Sequence, residues 1–229
     1  MNPKTVNRRQ FLRLAGVAAG MGTLTCAGLG WLMAGETQPE TPMPVGFPDL
    51  RLGEGPQKLL VAYASAAGST GGVAETIGRT LAESGAAVDV RPVQAVASLD
   101  PYRAVILGSA IHGGKWLPEA VDFLQGHQDR LNRMPTAFFA VGLMIARTDE
   151  STRKMVAQYL EAERALVKPV AEGRFVGAMF PNKYPFATGF GMRFFIAYCG
   201  LGLRGGDFRD LEAIRSWARN TQPLLIGEG

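Results

Sequence analysis

Short apolar runs alternate with segments of helical periodicity over most of this chain, and that alternation constrains its fold more than any other feature. The apolar runs, bounded by Gly, Pro and Ser, predict strands at 58–64, 86–93, 104–107, 136–141 and 174–180. The periodic segments predict helices at 73–82, 116–124, 150–166 and 211–218. We therefore predict an α/β fold, a doubly wound five-stranded parallel sheet with helices on both faces.

The loop after the first predicted strand has the composition of an anion site. Its residues are Ser65, Ala66, Ala67, Gly68, Ser69 and Thr70. Their hydroxyls and unpaired backbone N–H groups would converge at a helix N-terminus, where the helix dipole also favours a phosphate. The loop matches neither a dinucleotide nor a triphosphatase motif, and it has no lysine, so a phosphate monoester fits best. A capped turn that binds nothing is the alternative interpretation.

Two further loops follow predicted strands at the same edge of the sheet, where ligands of such sheets bind. The second loop contains Ser109, Ala110, Ile111, His112, Gly113 and Gly114, and its glycines allow the backbone to approach a flat ligand. The third loop begins with Gly142 and Leu143 and carries apolar side chains that can cover a ring. Together, the three loops predict one site for a phosphorylated planar ligand.

These loops resemble those of flavodoxins. The run Ala62-Tyr63-Ala64-Ser65-x-x-Gly68-Ser69-Thr70 is similar to the flavodoxin phosphate loop. The segments 108–116 and 137–147 resemble the flavin loops of a subgroup that includes menaquinone-dependent protoporphyrinogen oxidases. The resemblance covers residues 58–220 and implies a flavodoxin-like domain over 58–225 that binds FMN. It implies that residues 65–70 hold the phosphate, that 109–114 line one side of the flavin ring, and that Gly142 and Leu143 line the other.

His112 and Arg147 are the residues for which chemistry beyond cofactor binding is considered. His112 lies near the position where an aromatic ring often stacks on the flavin of flavodoxins, and it could donate a hydrogen bond to reduced flavin or shuttle a proton. We take it as the candidate catalytic residue, with a solvent-facing loop residue as the alternative. Arg147 could pair with a substrate carboxylate or form a helix-entry ion pair with Asp149 or Glu150.

The N-terminal segment, residues 1–34, resembles a twin-arginine export signal. Arg8 and Arg9 stand in Asn7-Arg8-Arg9-Gln10-Phe11-Leu12-Arg13, ahead of an uncharged stretch from Leu14 to Ala34. That stretch is long enough for an uncleaved membrane anchor, although small residues around Cys26 also allow cleavage. We expect the twin-arginine machinery to export a folded protein that is periplasmic, or anchored to the inner membrane and facing the periplasm. A plain basic leader is the alternative. The proline-rich segment 35–57 is predicted to be an extended linker.

Charge and composition exclude several classes of function. Four of the 24 Lys and Arg residues are Lys4, Arg8, Arg9 and Arg13 of the leader, which leaves 20 bases against 20 acids in the body. A neutral body argues against nucleic-acid binding, and it also differs from the acidic surface of carrier flavodoxins. Two cysteines and two histidines, widely spaced, predict no metal site.

The apolar segment 190–198 has two interpretations: a core helix under the sheet, which we favour, or a lip for quinone, porphyrin or a membrane surface. Cys199 is predicted to be buried.

The loops and the resemblance to flavodoxins together predict an FMN oxidoreductase that transfers electrons between a small-molecule donor and a membrane quinone. An exported carrier that passes electrons between protein partners is the alternative, and a fold remnant without flavin is a third interpretation.

Overall fold

The predicted alternation is present in the computed structural model of the protein, which describes residues 46–227. The strands are β1 (Leu50–Leu52), β2 (Lys58–Ala64), β3 (Ala87–Pro92), β4 (Ala104–His112), β5 (Lys115–Trp116), β6 (Thr136–Val141), β7 (Ala171–Phe175), β8 (Ala178–Met179) and β9 (Gly206–Asp207). The helices are α1 (Ser69–Glu83), α2 (Pro118–Gly126), α3 (Gln128–Leu131), α4 (Glu150–Ala157), α5 (Glu161–Leu166), α6 (Phe186–Tyr198) and α7 (Leu211–Ile226). The predicted leader and the linker residues before 46 lie outside this range.

The main sheet has the order β1-β3-β2-β4-β6-β7. Five of its strands, β3, β2, β4, β6 and β7, pair in parallel, which confirms the predicted doubly wound parallel sheet. The short antiparallel strands β1 and β5 were not predicted and bring the sheet to seven strands. From β2 the chain adds β3 on one side and then returns to add β4 on the other side. The strand order therefore reverses between β2 and β4, and the ends of these two strands are where a doubly wound sheet binds its ligand.

The two faces of the sheet carry two apolar cores, because successive side chains of a strand point to opposite faces. In β2, Leu59, Val61 and Tyr63 join one core with residues of α1 and α7. Leu60, Ala62 and Ala64 join the other core with residues of α2 and α3. Every one of these strand residues is at most 2% exposed. Helices thus cover both faces of the sheet, as predicted, and its central strands are buried on both sides.

The segment that precedes residue 58 is part of the fold rather than only a linker. Strand β1, Leu50–Leu52, lies in the predicted linker and pairs antiparallel with β3. Leu50 and Leu52 pack against the first core, and the buried hydroxyl of Tyr63 donates to the carbonyl oxygen of Pro48 at 3.0 Å. The domain therefore starts before residue 58. The sequence did not show this, because the two leucines that contact the core lie in a short segment rich in Gly and Pro.

The fifth predicted strand, 174–180, is wrong in position. Strand β7 covers Ala171–Phe175, and Ala178–Met179 forms a separate two-stranded sheet with β9. The first part of β7 contains no apolar run by which a strand could be predicted, because Glu172 lies there and pairs with Arg164 and Arg174. The apolar residues that follow Phe175 belong to a different, smaller core.

Two predicted helices also differ from the structure. The helix predicted at 150–166 is divided into α4 and α5 by a 3-10 turn at Gln158–Leu160. The segment 190–198 is helical, but it is not a core helix under the sheet. In α6 only one stripe is buried, while Phe186, Phe194 and Tyr198 are 81%, 52% and 60% exposed.

Glu163 generates a prediction about stability and pH. Its side chain is buried in α5, and one carboxylate oxygen has no hydrogen-bond partner among residues 46–227. Burial raises the pKa of this carboxyl above its ordinary value of 4.5. The folded state therefore holds the proton more tightly than the unfolded state. Between pH 4.5 and the raised pKa, the stability of the protein falls as pH rises, and it stays reduced above that window.

We predict that Glu163→Gln raises the urea midpoint of unfolding at pH 8, because a buried neutral amide costs less than a buried carboxylate. The gain should shrink as pH falls toward 4, where both states of the wild-type carboxyl become protonated. Glu161→Gln, an exposed change in the same helix, is the matched control and should show no comparable gain. A lower midpoint for Glu163→Gln at pH 8 would contradict the destabilising role.

Candidate functional site

The loops that follow β2, β4 and β6 leave the sheet at one edge. In the parallel register Ala64 lies opposite Ser109, and Ala110 lies opposite Val141, so the three strands end at nearly the same level. A Cβ built on Gly142 would lie 3.3 Å from the Cβ of Ile111, which puts the second and third loops in contact. The structure therefore brings together the three loops that the sequence predicted to form one site.

The first loop turns the chain from β2 into α1 around Gly68. This residue is the N-cap of α1 and has φ 85°, a left-handed conformation that favours glycine. The hydroxyl oxygen of Ser65 accepts the N–H of Gly68 at 2.9 Å, so the loop is held closed. The first helical bond runs from Gly72 N–H to Gly68 O, which leaves the N–H groups of the preceding residues unpaired within the helix.

Ser69 has two roles in this loop. Its hydroxyl oxygen accepts the N–H of Ala178 at 2.8 Å, from the segment after β7. Because a hydroxyl also carries one donor hydrogen, Ser69 can still donate to an anion at the same place. No acidic side chain lies in the first turn of α1, so nothing there repels a phosphate. Ala66 and Ala67 are exposed and can contribute their backbone N–H groups only.

In the second loop Ser109 is placed differently from the prediction. Its side chain is fully buried, and its hydroxyl donates to Ala110 O and accepts the N–H of Leu117, both at 2.9 Å. The Ser109 hydroxyl thus holds the β4–β5 hairpin and does not face a ring. Gly113 and Gly114, with φ 60° and 80°, form the exposed tip of this hairpin. The lone sequence could not show that the loop folds back as a strand.

The remaining residues of the second loop divide between partly buried and exposed positions. Ala110 and Ile111 are half-buried and pack against the second core, whereas His112 is exposed at the end of β4. In the β4–β5 hairpin, His112 lies opposite Lys115. Its role as a catalytic residue stays a prediction.

In the third loop Leu143 is buried, not open to a ligand. It forms a small core with Ile196 and Cys199, two residues at the end of α6, and Cys199 is buried as predicted. Gly142, just before it, donates its N–H to Phe175 O at 3.1 Å and stays half-buried. The third loop therefore connects the candidate site to α6.

Sequence reasoning missed the contribution of the segment after β7. A Cβ built on Gly177 would lie 2.6 Å from the hydroxyl oxygen of Ser69 and 3.1 Å from Val141 Cγ1. Only a glycine allows this close approach, which seats the segment against the start of α1. The available indication was Gly177 itself, placed after an apolar strand pattern in the sequence.

A cluster of arginines lies beside the third loop. Arg147, Arg153, Arg164 and Arg174, together with Ile145 and Val156, line a cavity of about 490 Å³. Arg147 forms an ion pair with Asp149, the N-cap of α4, at 2.8 Å. This is one of the two roles that the sequence suggested for Arg147. Hydrogen bonds from Ser151, Arg147 and Thr152 hold the pKa of Asp149 well below its usual range. Within residues 46–227 no three His, Cys, Asp or Glu side chains are grouped closely enough to hold a metal ion.

The sequence matches the flavodoxin domain family over residues 60–198, which is more than half of the chain. The chain belongs to the flavodoxin domain family. FMN, the cofactor that this family implies, fits the loop at the start of α1, which offers unpaired N–H groups, the Ser69 hydroxyl and no acid. The predicted fold class and cofactor are thereby confirmed, while the individual contacts to the flavin ring remain predictions.

Curated relatives of this flavodoxin-domain protein include two enzymes of the same name. The protoporphyrinogen IX dehydrogenase (quinone) of Leishmania major is 29% identical over 140 residues, 56% of this chain and 58% of that protein. Its counterpart in Escherichia coli K12 is 29% identical over 97 residues, 42% of this chain and 54% of that protein. The chain thus spans a little over half the length of these relatives.

Among solved structures, a flavodoxin of Streptococcus pneumoniae TIGR4 is 19% identical to this chain. The match covers 71% of this chain and 95% of that protein, with a TM-score of 0.45.

The first loop generates a prediction about FMN affinity. Ala66→Asp adds a carboxylate to an exposed position of the proposed phosphate cradle, where the start of α1 tolerates negative charge. Repulsion between two anions a few ångströms apart should weaken FMN binding by about tenfold or more. Titration of FMN fluorescence with the flavin-free protein measures this, and the loss should diminish at high salt.

Ala66→Asn is the matched control, because it has nearly the same shape without the charge. Its affinity for FMN should stay close to that of the wild type. Equal affinities of the Asp and Asn variants would place the phosphate elsewhere.

Proposed function

We propose that this chain is an FMN-dependent oxidoreductase that takes electrons from a reduced small molecule and passes them to a membrane quinone. The names of its curated relatives support a quinone as the acceptor. Because the chain spans only part of those relatives, neither their donor nor their acceptor is transferred by similarity alone. We do not extend the proposal to a porphyrinogen donor, since the proposed export signal separates this protein from cytoplasmic haem synthesis.

The observation that carries the proposal is the contact between the third loop and α6. Leu143, which follows the predicted ring-binding Gly142, packs against Ile196 and Cys199 of the segment that carries the exposed aromatic side chains. The helix that carries an exposed apolar surface is therefore attached, by its buried side, to the loop expected to contact the flavin ring. A quinone, which is itself apolar and aromatic, is the type of acceptor that such a surface can receive.

Each part of the site has a role in this proposal. The Gly68 turn and the Ser69 hydroxyl bind the phosphate, and the Gly113–Gly114 tip leaves the edge of the second loop open. Bound FMN supplies the redox chemistry, because it accepts a hydride or electrons from a donor and releases them to an acceptor. His112, exposed beside that edge, is placed where it can exchange protons with water.

We predict that the FMN-loaded full chain, once chemically reduced without oxygen, is reoxidised faster by menadione than by oxidised cytochrome c. An apolar docking surface favours the small quinone over a protein acceptor. Stopped-flow recovery of the flavin absorbance measures both rates. Faster reaction with cytochrome c would favour the alternative, a carrier between protein partners, and a protein that binds no flavin would favour a fold remnant.

A matched pair of variants connects this reaction to α6. Phe195→Ser removes a partly exposed aromatic ring from α6 and should slow the reaction with menadione. Leu224→Ser removes a similarly exposed apolar side chain from α7 and should leave the rate unchanged. Equal rates in both variants would show that the quinone reaches the flavin by another route.

We further propose that the twin-arginine machinery exports the chain to the periplasmic side of the inner membrane. The support is the leader sequence, in which Arg8 and Arg9 precede Phe11 and Leu12. Residues 46–227 contain no helix that is both long and apolar enough to cross a membrane.

The arginine pair is tested by a change that keeps the charge. Replacement of both Arg8 and Arg9 by Lys should retain the protein in the cytoplasm of a host that has the twin-arginine machinery, because that pathway reads the arginines themselves. Cell fractionation and immunoblotting measure the distribution. A single Arg13→Lys change is the control and should leave export intact. Export of the double Lys variant at the wild-type level would support a plain basic leader instead.

A further inference from the structure

Helix α6 has one stripe that faces the protein. Ile196 and Cys199 are at most 1% exposed and pack against Leu143. Gly189, about two turns before Ile196, approaches the chain so closely that a Cβ would lie 2.6 Å from Pro181 O. These residues are spaced as one face of a helix and fix α6 to the domain.

The opposite stripe is a ridge of aromatic rings that faces away from the protein. We call Phe186, Phe190, Phe194 and Tyr198, spaced four residues apart, the aromatic ridge. The ring centroids of Phe186 and Phe190 are 6.2 Å apart, and those of Phe190 and Phe194 are 4.8 Å apart. Phe186 is 81% exposed. Phe194 and Tyr198 are also exposed, and Phe190, between Phe186 and Phe194, is half-buried. Such a row of aromatic rings marks a surface that contacts an apolar partner.

The chain segment that carries the aromatic ridge has positive charges and no negative ones. From residue 176 to 206 the chain contains Lys183, Arg193 and Arg204 and no acidic residue. Lys183 lies 5.1 Å from the centre of the Phe180 ring, and Arg193 donates to Asn182 Oδ1 at 2.5 Å. These positively charged side chains therefore belong to the same chain segment as the aromatic rings.

An ion pair adjoins the C-terminal end of the ridge. The guanidinium carbon of Arg147 lies 4.5 Å from the centre of the Tyr198 ring, while its Nε donates to Asp149 at 2.8 Å. Farther away, Arg164 and Arg174 both pair with Glu172. The positive charge beside the rings therefore comes from Lys183 and Arg193 rather than from the arginine cavity.

We propose that the aromatic ridge binds to the surface of an anionic lipid bilayer. Helix α6 is too short to span a membrane, but aromatic rings beside Lys and Arg are the composition of a helix that lies in the interface. The rings enter the boundary between headgroups and acyl chains, and the cations contact lipid phosphates. A second copy fits less well, because a symmetric contact would bring two identical, positively charged patches together.

The test must separate docking through α6 from any attachment through the leader. Gly191 in α6 and Gly126 at the end of α2 are both exposed, and a Cβ at either position meets nothing within 4 Å. Cys at one or the other position, in the full chain with Cys26→Ser, gives a single site for an environment-sensitive nitrobenzoxadiazole label. Cys199 is buried and does not compete for the label.

With phosphatidylcholine vesicles that contain phosphatidylglycerol, the label at 191 should brighten and shift to the blue, and the label at 126 should not change. Pure phosphatidylcholine vesicles should give a much weaker response at 191. Unchanged emission at 191, or equal changes at 191 and 126, would overturn the proposal, since a leader anchor alone does not immerse α6. Equal responses with both lipid compositions would also overturn it.

Exposed residues of the ridge supply the variants. Phe186→Ser together with Phe194→Ser should raise by about tenfold or more the lipid concentration that gives half of the blue shift at 191, because each ring loses the burial of its apolar area. Leu224→Ser, an equally apolar loss on α7, is the matched control and should leave the lipid response at 191 unchanged. A blue shift at 191 that rises with protein concentration in the absence of vesicles would assign the ridge to self-association instead.

Discussion

Gly68 turns the chain from β2 into α1 through a left-handed conformation, and the candidate site depends on this turn. A side chain at that position would be strained, because L-residues rarely adopt positive φ. The turn places the unpaired N–H groups at the start of α1 near the ends of β2 and β4, between which the strand order reverses. Charge and topology are thereby combined: sheets with this reversal of strand order bind ligands at this edge, and the start of the helix makes the edge favourable for an anion.

The hydrogen bond from Ala178 N–H to the Ser69 hydroxyl extends the influence of this turn to the C-terminal part of the domain. It joins the segment after β7 to the loop predicted to hold the phosphate, across a long separation in the sequence. Gly177 allows the close approach, and Val176 and Met179 of the same segment pack with Leu143 against α6. The predicted phosphate loop and α6 are therefore physically connected through a few buried atoms. Burial makes such a connection effective, since an unpaired polar group there would be costly.

The sequence predicted the features that depend on local periodicity and missed those that depend on distant partners. Strand β6 was predicted at its observed bounds, because a buried central strand is apolar throughout. Strand β7 was displaced, because its polar residues are satisfied by arginines from other elements. The first loop was predicted because its chemistry is local. The burial of the Ser109 hydroxyl was not, because its partner Leu117 becomes a neighbour only when the hairpin closes.

Helix α6 shows why apolar content alone does not define a core. A helix that is apolar on all sides is usually buried, which is why the core interpretation was favoured. The two cores of the sheet, however, are complete without α6, whose buried residues form only a small separate cluster. Leaving a ring as large as Phe186 exposed forgoes about 2 kcal/mol of burial, which nothing within the described domain recovers. The aromatic ridge therefore contributes little to folding, and its composition is explained by what binds to it from outside.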